Sequence, residues 1–248
     1  MSTRGAIGFI KNKQYKVSYN HWDSYLEGKG VEVVNFIKNN SVERLNEIFD
    51  NMIMVNQTDI PTEKERKEIL KFWKNNNIKN EWDPKHFGSG TADWYYYLSV
   101  TNGYPEYYNK GLRYMTDDKE FINDTLFCEF AYLIDLDENK LHILSNDKEC
   151  SFDFDKIPDN WIEIGKIQLS NDCKDKFMNL IYDKNEQEQK DIYESMGITK
   201  YIDEKLKLDR YDYYAQEKVY NSVLEHIDEI EFEDIIDEYT KNLEMEDI

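Results

Sequence analysis

The chain has 248 residues and a mass of 29.9 kDa, which is enough for one sizeable hydrophobic core or two small ones. Hydrophobic residues make up 40%, with only 10 Gly and 4 Pro, so a collagen-like, Pro/Gly-rich or wholly disordered chain is excluded. The net charge of -20 argues against direct binding of nucleic acid, because such binding depends on basic residues that release counterions from phosphates. We expect a folded protein whose partners are basic or neutral.

The cysteines and histidines predict neither disulfides nor a metal site. Cys128, Cys150 and Cys173 are odd in number and form no C-x-x-C pair. The histidines are far apart, and no Cys/His spacing fits zinc. No run of about 18 apolar residues occurs, and the N-terminus lacks the apolar stretch of a signal peptide. We therefore expect a cytoplasmic protein with no metal, no cofactor and no membrane contact.

The first predicted elements are a hairpin followed by helices. Residues 5–10 and 15–19 are short β-prone runs separated by the polar residues 11–14, which indicates an N-terminal hairpin. The pattern VEVVNFIKNN then predicts a helix. Ser41 and Thr62 each precede a run of helical periodicity and are expected to cap the two helices that follow.

The middle of the chain is rich in aromatic residues and then returns to β-prone patterns. From Thr91 it reads TADWYYYLSVTNGYPEYYNKGLRYM, broken by Gly103 and Pro105, which predicts one or two short helices. The runs CEFAYLIDL and LHILS flank the turn DENK and predict a second hairpin, and SFDF and WIEIGKIQL predict further strands. Helical patterns resume after about residue 171. The predicted fold class is α+β, with an antiparallel sheet built from the two hairpins and the intervening helices.

The predicted domains are an α+β core at residues 1–180 and an acidic helical extension at 181–248, packed on the core. Of the net charge, -18 lies in residues 131–248. An apolar stripe along the C-terminal helices consists of Leu224, Ile227, Ile230, Ile235, Ile236, Tyr239 and Leu243.

The first 30 residues carry a distinctive pattern, MSTRGAIGF followed by YNHWDSYLEGKG. They resemble the opening of an uncharacterised family of bacterial and phage proteins with the pattern M-x-T-R-G-x-x-G-F and then Y-N-H-x-D-S-Y-x-x-G-x-G. The later segment AYLIDLDENKL also resembles that family. The resemblance implies a phage or mobile-element origin and carries no function with it.

The same hairpin is similar, more weakly, to the opening of N-terminal nucleophile hydrolases. Those enzymes begin their core hairpin with a Ser, Thr or Cys at a processed N-terminus and carry an Asn/Asp motif at the end of the second strand. The similarity implies an amidohydrolase in which Ser2, exposed by removal of Met1, is the nucleophile, its α-amine is the base, and Asn20 and Asp23 lie nearby. The alternative is a strand end in which Asn20 and Asp23 bond local backbone and Trp22 packs.

A third hypothesis places a small anionic ligand or nucleotide at the hairpin end. Arg4 and His21 would contact the anion, and the turn containing Gly28 and Gly30 would offer backbone N–H groups ahead of a helix. The alternative for the two glycines is loop flexibility. Elsewhere, the segment from Asp135 imitates the start of a calcium loop but lacks its later ligands, and we interpret it as a hairpin turn.

The leading hypothesis is a non-enzymatic interaction protein. Glu231, Glu233, Asp234, Asp237 and Glu238 lie beside the apolar stripe, as on the solvated face of a surface helix. Carboxylates arrayed along a helix can also imitate phosphates and occupy the basic groove of a nucleic-acid-binding protein. We therefore expect a phage or mobile-element protein that binds and inhibits a basic host protein, such as a nucleic-acid-handling or defence enzyme.

Aromatic residues supply a second set of candidate partner contacts. Trp94 and Tyr104 are the predicted anchors, since Trp and Tyr combine large contact area with a polar group. They belong to a cluster with Tyr95, Tyr96, Tyr97, Tyr107 and Tyr108. Consecutive residues around a helix face several directions, so we expect part of this cluster to lie in the core.

Overall fold

A computed structural model describes residues 3–81, 92–124, 126–170, 172–182, 184–202 and 213–245. The strands are Gly5–Lys11 (β1), Gln14–Asn20 (β2), Ile53–Val55 (β3), Tyr114–Thr116 (β4), Phe130–Asp135 (β5), Lys140–Ser145 (β6) and Lys148–Asp153 (β7). The α-helices are Val31–Lys38 (α1), Val42–Asn51 (α2), Glu63–Asn75 (α3), Trp94–Leu98 (α4), Glu106–Asn109 (α5), Trp161–Gln168 (α6), Cys173–Ile181 (α7), Glu186–Ser195 (α8), Tyr213–Leu224 (α9) and Glu229–Met245 (α10). A π-helix spans Leu26–Gly30, and 3-10 helices span Lys119–Asn123 and Thr199–Tyr201.

The chain forms two compact units, Met1–Asp155 and Lys156–Ile248. The first contains the strands named above and α1 to α5, and the second contains α6 to α10. The domain boundary predicted at residue 180 falls within α7, inside the second unit.

The main sheet of the first unit has five strands in the order β2-β1-β5-β6-β7. Both predicted hairpins are present, β1 with β2 and β5 with β6, and β7 extends the second one. The two hairpins join through a parallel pairing of β1 with β5, so the sheet is mixed and mostly antiparallel. The α+β class predicted from the sequence is confirmed.

Side chains of a strand alternate between the two faces of a sheet. Other parts of the first unit pack against both faces of this one. On one face, Ala6, Val17 and Leu133 pack with Phe121 of the 3-10 helix and with Cys128. On the other face, the Phe9 ring meets the Phe36 ring of α1 edge to face, with 6.1 Å between centroids. The sheet is therefore the middle layer of the first unit.

The helix caps predicted from the sequence are confirmed. Oγ of Ser41 accepts the N–H of Arg44 at the start of α2. Thr62 and Glu65 form a reciprocal capping box at the start of α3. Such a box satisfies two backbone N–H groups that otherwise have no partner in the first helical turn.

One predicted strand is wrong: WIEIGKIQL forms α6. Trp161, Ile164 and Ile167 are buried along one side of that helix. Their spacing of three residues is helical, and it outweighs the β preference of the isoleucines.

The second unit packs its helices around Phe177, which is fully buried. The rings of Tyr193, Tyr220 and Phe232 surround it at centroid distances of 6.1, 6.0 and 5.2 Å. The predicted apolar stripe packs against this core except at Ile230, which is 75% exposed. Among the described residues, no helix is both long and apolar enough to cross a membrane.

Candidate functional site

Three chain segments meet at one edge of the main sheet in the first unit. Gly5, at the start of β1, pairs with Asn20 at the end of β2 and with Phe130 at the start of β5. Just beyond the edge, the N–H of Ser24 donates to the C=O of Thr3 over 3.2 Å. The segment that follows β2 therefore folds back over the start of the chain.

The side chain of Asn20 holds that segment through two hydrogen bonds. It is 3% exposed, and its Nδ2 donates to the C=O of Trp22 and, over 2.6 Å, to Oγ of Ser24. The hydroxyl of buried Tyr132 donates to the C=O of Ser24 over 2.8 Å. Asn20 thus bonds local backbone and side chain, as the structural alternative predicts.

The predicted anion-binding glycines lie in the π-helix, where their N–H groups are paired. The N–H groups of Gly28 and Gly30 donate to the C=O of Tyr25, and that of Lys29 donates to the C=O of Asp23 over 2.8 Å. A Cβ on Gly28 would lie 2.3 Å from the same Asp23 oxygen, so the turn is too tight for a side chain there. These three N–H groups are not available to an anion in this structure.

Arg4 and His21 are also engaged locally. The Arg4 N–H donates to Oε1 of Glu129 over 3.0 Å, and its guanidinium lies 5.2 Å from the centre of the Phe127 ring. His21 Nδ1 lies 2.6 Å from the Tyr19 hydroxyl. The two cavities described in the first unit, one lined by Met54 to Gln57 with Asp117 and the other by residues of α3 and of 111–114, include neither Arg4, His21 nor the glycine turn.

One residue of this turn, Lys29, has a buried side chain. Lys29 is 3% exposed, and its Nζ lies 2.7 Å from Oε2 of Glu32 and 3.3 Å from the centre of the Tyr104 ring. Burial lowers the pKa of Lys29, opposed by Glu32 and Asp23. Burial likewise raises the pKa of the Tyr104 hydroxyl, with Glu32 and Asp23 acting in the same direction. Glu32 thus contacts the lysine directly, and the charge of Asp23 favours the protonated forms of both groups.

Exposed aromatic rings surround this turn. Trp22 is 58% exposed, and Tyr25 and Tyr104 are each 40% exposed. Together with the exposed carboxylates of Asp23 and Glu32 they form what we name the hairpin-end surface. Trp22 is exposed, and its ring meets the His21 ring edge to face, with 4.4 Å between ring centroids.

Of the two predicted aromatic anchors, only Tyr104 is exposed. Trp94 is 3% exposed and packs on Tyr114, with 4.6 Å between ring centroids. Tyr97 and Tyr108 are buried as well. Much of the aromatic cluster therefore lies in the core, as predicted from the way consecutive residues face different directions around a helix.

The predicted acidic residues of α10 divide into two groups. Lys176 on α7 places its Nζ 2.9 Å from Oε1 of Glu233 and 3.0 Å from Oδ1 of Asp237. The remaining three, Glu231, Asp234 and Glu238, are exposed, and we name them the α10 acidic face. Of the five acidic residues predicted to contact a partner, Glu233 and Asp237 thus help to attach α10 to α7.

The described residues contain neither the proposed nucleophile nor a group of side chains placed to hold a metal ion. Ser2, the proposed nucleophile, lies outside the described residues, and Asp23 is exposed on the turn. No group of three or more His, Cys, Asp or Glu side chains is placed to hold a metal ion among the residues described. The Asp135 segment is a hairpin turn, in which Oδ1 of Asp135 accepts the N–H groups of Asp137 and Glu138.

Sequence reasoning missed Lys29, Trp22 and Tyr25 as site residues. Lys29 looks like an ordinary surface lysine within EGKG, and only the tertiary contact with Tyr104 reveals its burial. The signal for the rings was their position beside Asp23 immediately after a strand.

No protein-family model matches the sequence, and comparisons with curated proteins and with solved structures return no match.

Proposed function

We propose that the chain is an interaction protein that binds a basic protein through the α10 acidic face and blocks the partner's nucleic-acid-binding surface. The observation that supports this function best is the division of the acids on α10. Glu233 and Asp237 are paired with Lys176, whereas Glu231, Asp234 and Glu238 are exposed.

The three exposed carboxylates share one side of the helix. At about 100° per residue, Asp234 and Glu238 lie within about 60° of Glu231. At about 1.5 Å per residue they are spaced about 4.5 and 6 Å along the axis. That spacing is of the same order as the phosphates of one nucleic-acid strand, about 3.4 Å apart along its axis. Exposed Ile230 offers an apolar contact beside them.

The wider charge distribution supports the same proposal. Residues 131–248 carry -18 of the net charge of -20. A field of one sign attracts a basic partner and accelerates encounter, most strongly at low salt. The resemblance of the first 30 residues to a bacterial and phage family favours a bacterial host protein as the partner.

The test is capture from a nuclease-treated bacterial lysate by the full chain and by the variant E231Q/D234N/E238Q, at low and high salt, with identification by mass spectrometry. We expect the unmodified chain to retain a basic protein in stoichiometric amount at low salt and to lose it at high salt, because salt screens exposed charges. The variant should fail to retain it. Once purified, the partner should lose nucleic-acid binding when the chain is added.

The matched control is E186Q/D191N/E194Q, which removes the same number of charges from exposed positions of α8 in the same unit. It should capture the partner as the unmodified chain does. Equal loss with both variants would contradict a specific role for α10, since net charge alone would then explain binding. Capture that is insensitive to salt, or no basic protein captured at all, would contradict the proposal as a whole.

A further inference from the structure

The hairpin-end surface in the first unit combines exposed rings with carboxylates, whereas the nearest lysine is buried. Trp22, Tyr25 and Tyr104 are 58%, 40% and 40% exposed. Asp23 is exposed beside Trp22, and Glu32 is exposed beside Tyr104. The surface therefore exposes aromatic rings and the Asp23 carboxylate to solvent, whereas the Glu32 carboxylate is paired with the buried ammonium of Lys29.

The backbone that carries the rings is held by hydrogen bonds, and the Trp22 ring meets the His21 ring edge to face at 4.4 Å between centroids. Asn20 binds the C=O of Trp22, and its Oδ1 packs against Gly103, the residue before Tyr104. Tyr25 accepts two hydrogen bonds from the π-helix through its C=O. Large exposed rings on a rigid backbone lose little conformational entropy on binding, which is typical of a recognition surface.

A buried contact at this surface already pairs an ammonium with an aromatic ring. The Lys29 ammonium lies 3.3 Å from the centre of the Tyr104 ring and 2.7 Å from the Glu32 carboxylate. An ammonium over an aromatic face, with a carboxylate beside it, is a cation–π arrangement. Trp22 and Asp23 are consecutive exposed residues, and they supply the same two kinds of group, a ring and a carboxylate.

We infer that the hairpin-end surface binds lysine side chains of a basic protein segment, with Trp22 as the ring and Asp23 as the counter-charge. The residues of this site differ from those of the α10 acidic face, and the inference does not rest on the proposed function. The choice of a lysine rests on charge complementarity with the exposed Asp23 carboxylate, which follows the exposed Trp22 in the chain.

The test uses a lysine-rich peptide and the same peptide with every lysine replaced by glutamine. Binding is measured by fluorescence anisotropy of the labelled peptide, with the full chain carrying E231Q/D234N/E238Q so that the α10 acidic face does not contribute. We expect the lysine peptide to bind and the glutamine peptide not to bind. W22A should weaken binding at least about threefold, the size of one exposed cation–π contact.

D23N gives a second measurement that keeps the fold. Asp23 has φ of 55°, and asparagine tolerates this left-handed conformation while removing the charge. It should also weaken binding about threefold or more, as expected for one lost charge contact. The controls are Y15A, a ring 45% exposed at the opposite end of the same hairpin, and D147N in the exposed β6–β7 turn. Both should bind as the parent does.

Binding that W22A and D23N leave unchanged, or equal binding of both peptides, would overturn the inference. Peptide binding that appears only when the α10 acidic face is restored would also overturn it and would leave the proposed function intact. Circular dichroism of each variant verifies that a loss of binding is not a loss of structure.

Discussion

Gly103 lies directly against Asn20: a Cβ atom on Gly103 would come within 2.1 Å of the Asn20 Oδ1. Gly103 follows α4, and Asn20 ends β2. The contact therefore joins the aromatic segment to the strand end that carries the hairpin-end surface.

We expect Gly103→Ala to destabilise the protein by more than about 2 kcal/mol, because the methyl group meets Asn20 and the φ of +77° disfavours a side chain. Gly111→Ala is the control, since Gly111 has φ of +98° but a Cβ there would have no neighbouring atom within 4 Å. It should cost only about 1 kcal/mol, from backbone strain. Urea unfolding measures both, and equal losses would show that the Asn20 contact does not matter.

Lys16 is a buried cap for α2. It is 7% exposed, and its Nζ donates to the C=O groups of Phe49 and Met52 over 2.8 and 2.7 Å. Lys16→Met should lower the free energy of unfolding by about 2 kcal/mol, because two buried carbonyls lose a charged donor. Exposed Lys64→Met removes the same charge and should change stability by less than about 0.5 kcal/mol. Thermal or urea unfolding of the two variants provides the comparison.

Asp137 links the turns of the two hairpins. Its Oδ1 accepts the N–H of Asn12 over 2.8 Å, and its Oδ2 accepts the N–H of Lys13 over 3.2 Å. Both residues have positive φ, as a two-residue hairpin turn requires. Asp137→Ala should destabilise the protein by about 1 to 2 kcal/mol, measured by urea unfolding. A loss no larger than that of Asp147→Ala, in the exposed β6–β7 turn, would contradict this role.

Lys176 pairs with two acids of α10. Burial opposes its charged form, but hydrogen bonds and attraction to Glu233 and Asp237 outweigh burial and raise the pKa of Lys176. Lys176→Gln should destabilise the second unit by about 1 kcal/mol, since the carboxylates are partly exposed and screened. The loss of stability in Lys176→Gln should be smaller in high salt.

The division of the acids can be tested by partner capture. If E233Q/D237N weakens partner capture as strongly as E231Q/D234N/E238Q, the division of the acids into two groups is wrong.

The cysteines give a pH-dependent prediction. Cys128, Cys150 and Cys173 are buried, and burial raises the pKa of the Cys128 and Cys173 thiols to about 11. Reactivity requires the thiolate, so Ellman's reagent should label the native chain slowly at about pH 8 and all three thiols after unfolding.

The same pKa shifts affect stability at alkaline pH. The unfolded thiols ionise near the ordinary pKa of 9.0, whereas the folded thiols stay protonated to about 11. Above about 9 the unfolded state binds fewer protons, so stability falls as the pH rises from about 9 to about 11. Cys128→Ala should flatten the alkaline decline measured by urea unfolding. An unchanged slope would contradict the assignment to this thiol.

Local patterns in the sequence predicted the elements that depend on near neighbours. Alternating β-prone residues predicted both hairpins, and Ser41 and Thr62 marked helix starts because a cap bonds the N–H three residues ahead. WIEIGKIQL was misassigned, since its isoleucines fit a strand locally, although the three-residue spacing of Trp161, Ile164 and Ile167 is that of a helix.

The α+β class, the helix caps and the concentration of acid toward the C-terminus could all be predicted from the residues alone. Which side chains meet could be seen only in the folded chain. The parallel pairing of β1 with β5, the burial of Lys29 under Tyr104 and the pairing of Lys176 with Glu233 all join residues far apart in the chain. Local propensity carries no information about such contacts, because burial and charge pairing depend on how the packed elements are arranged in space.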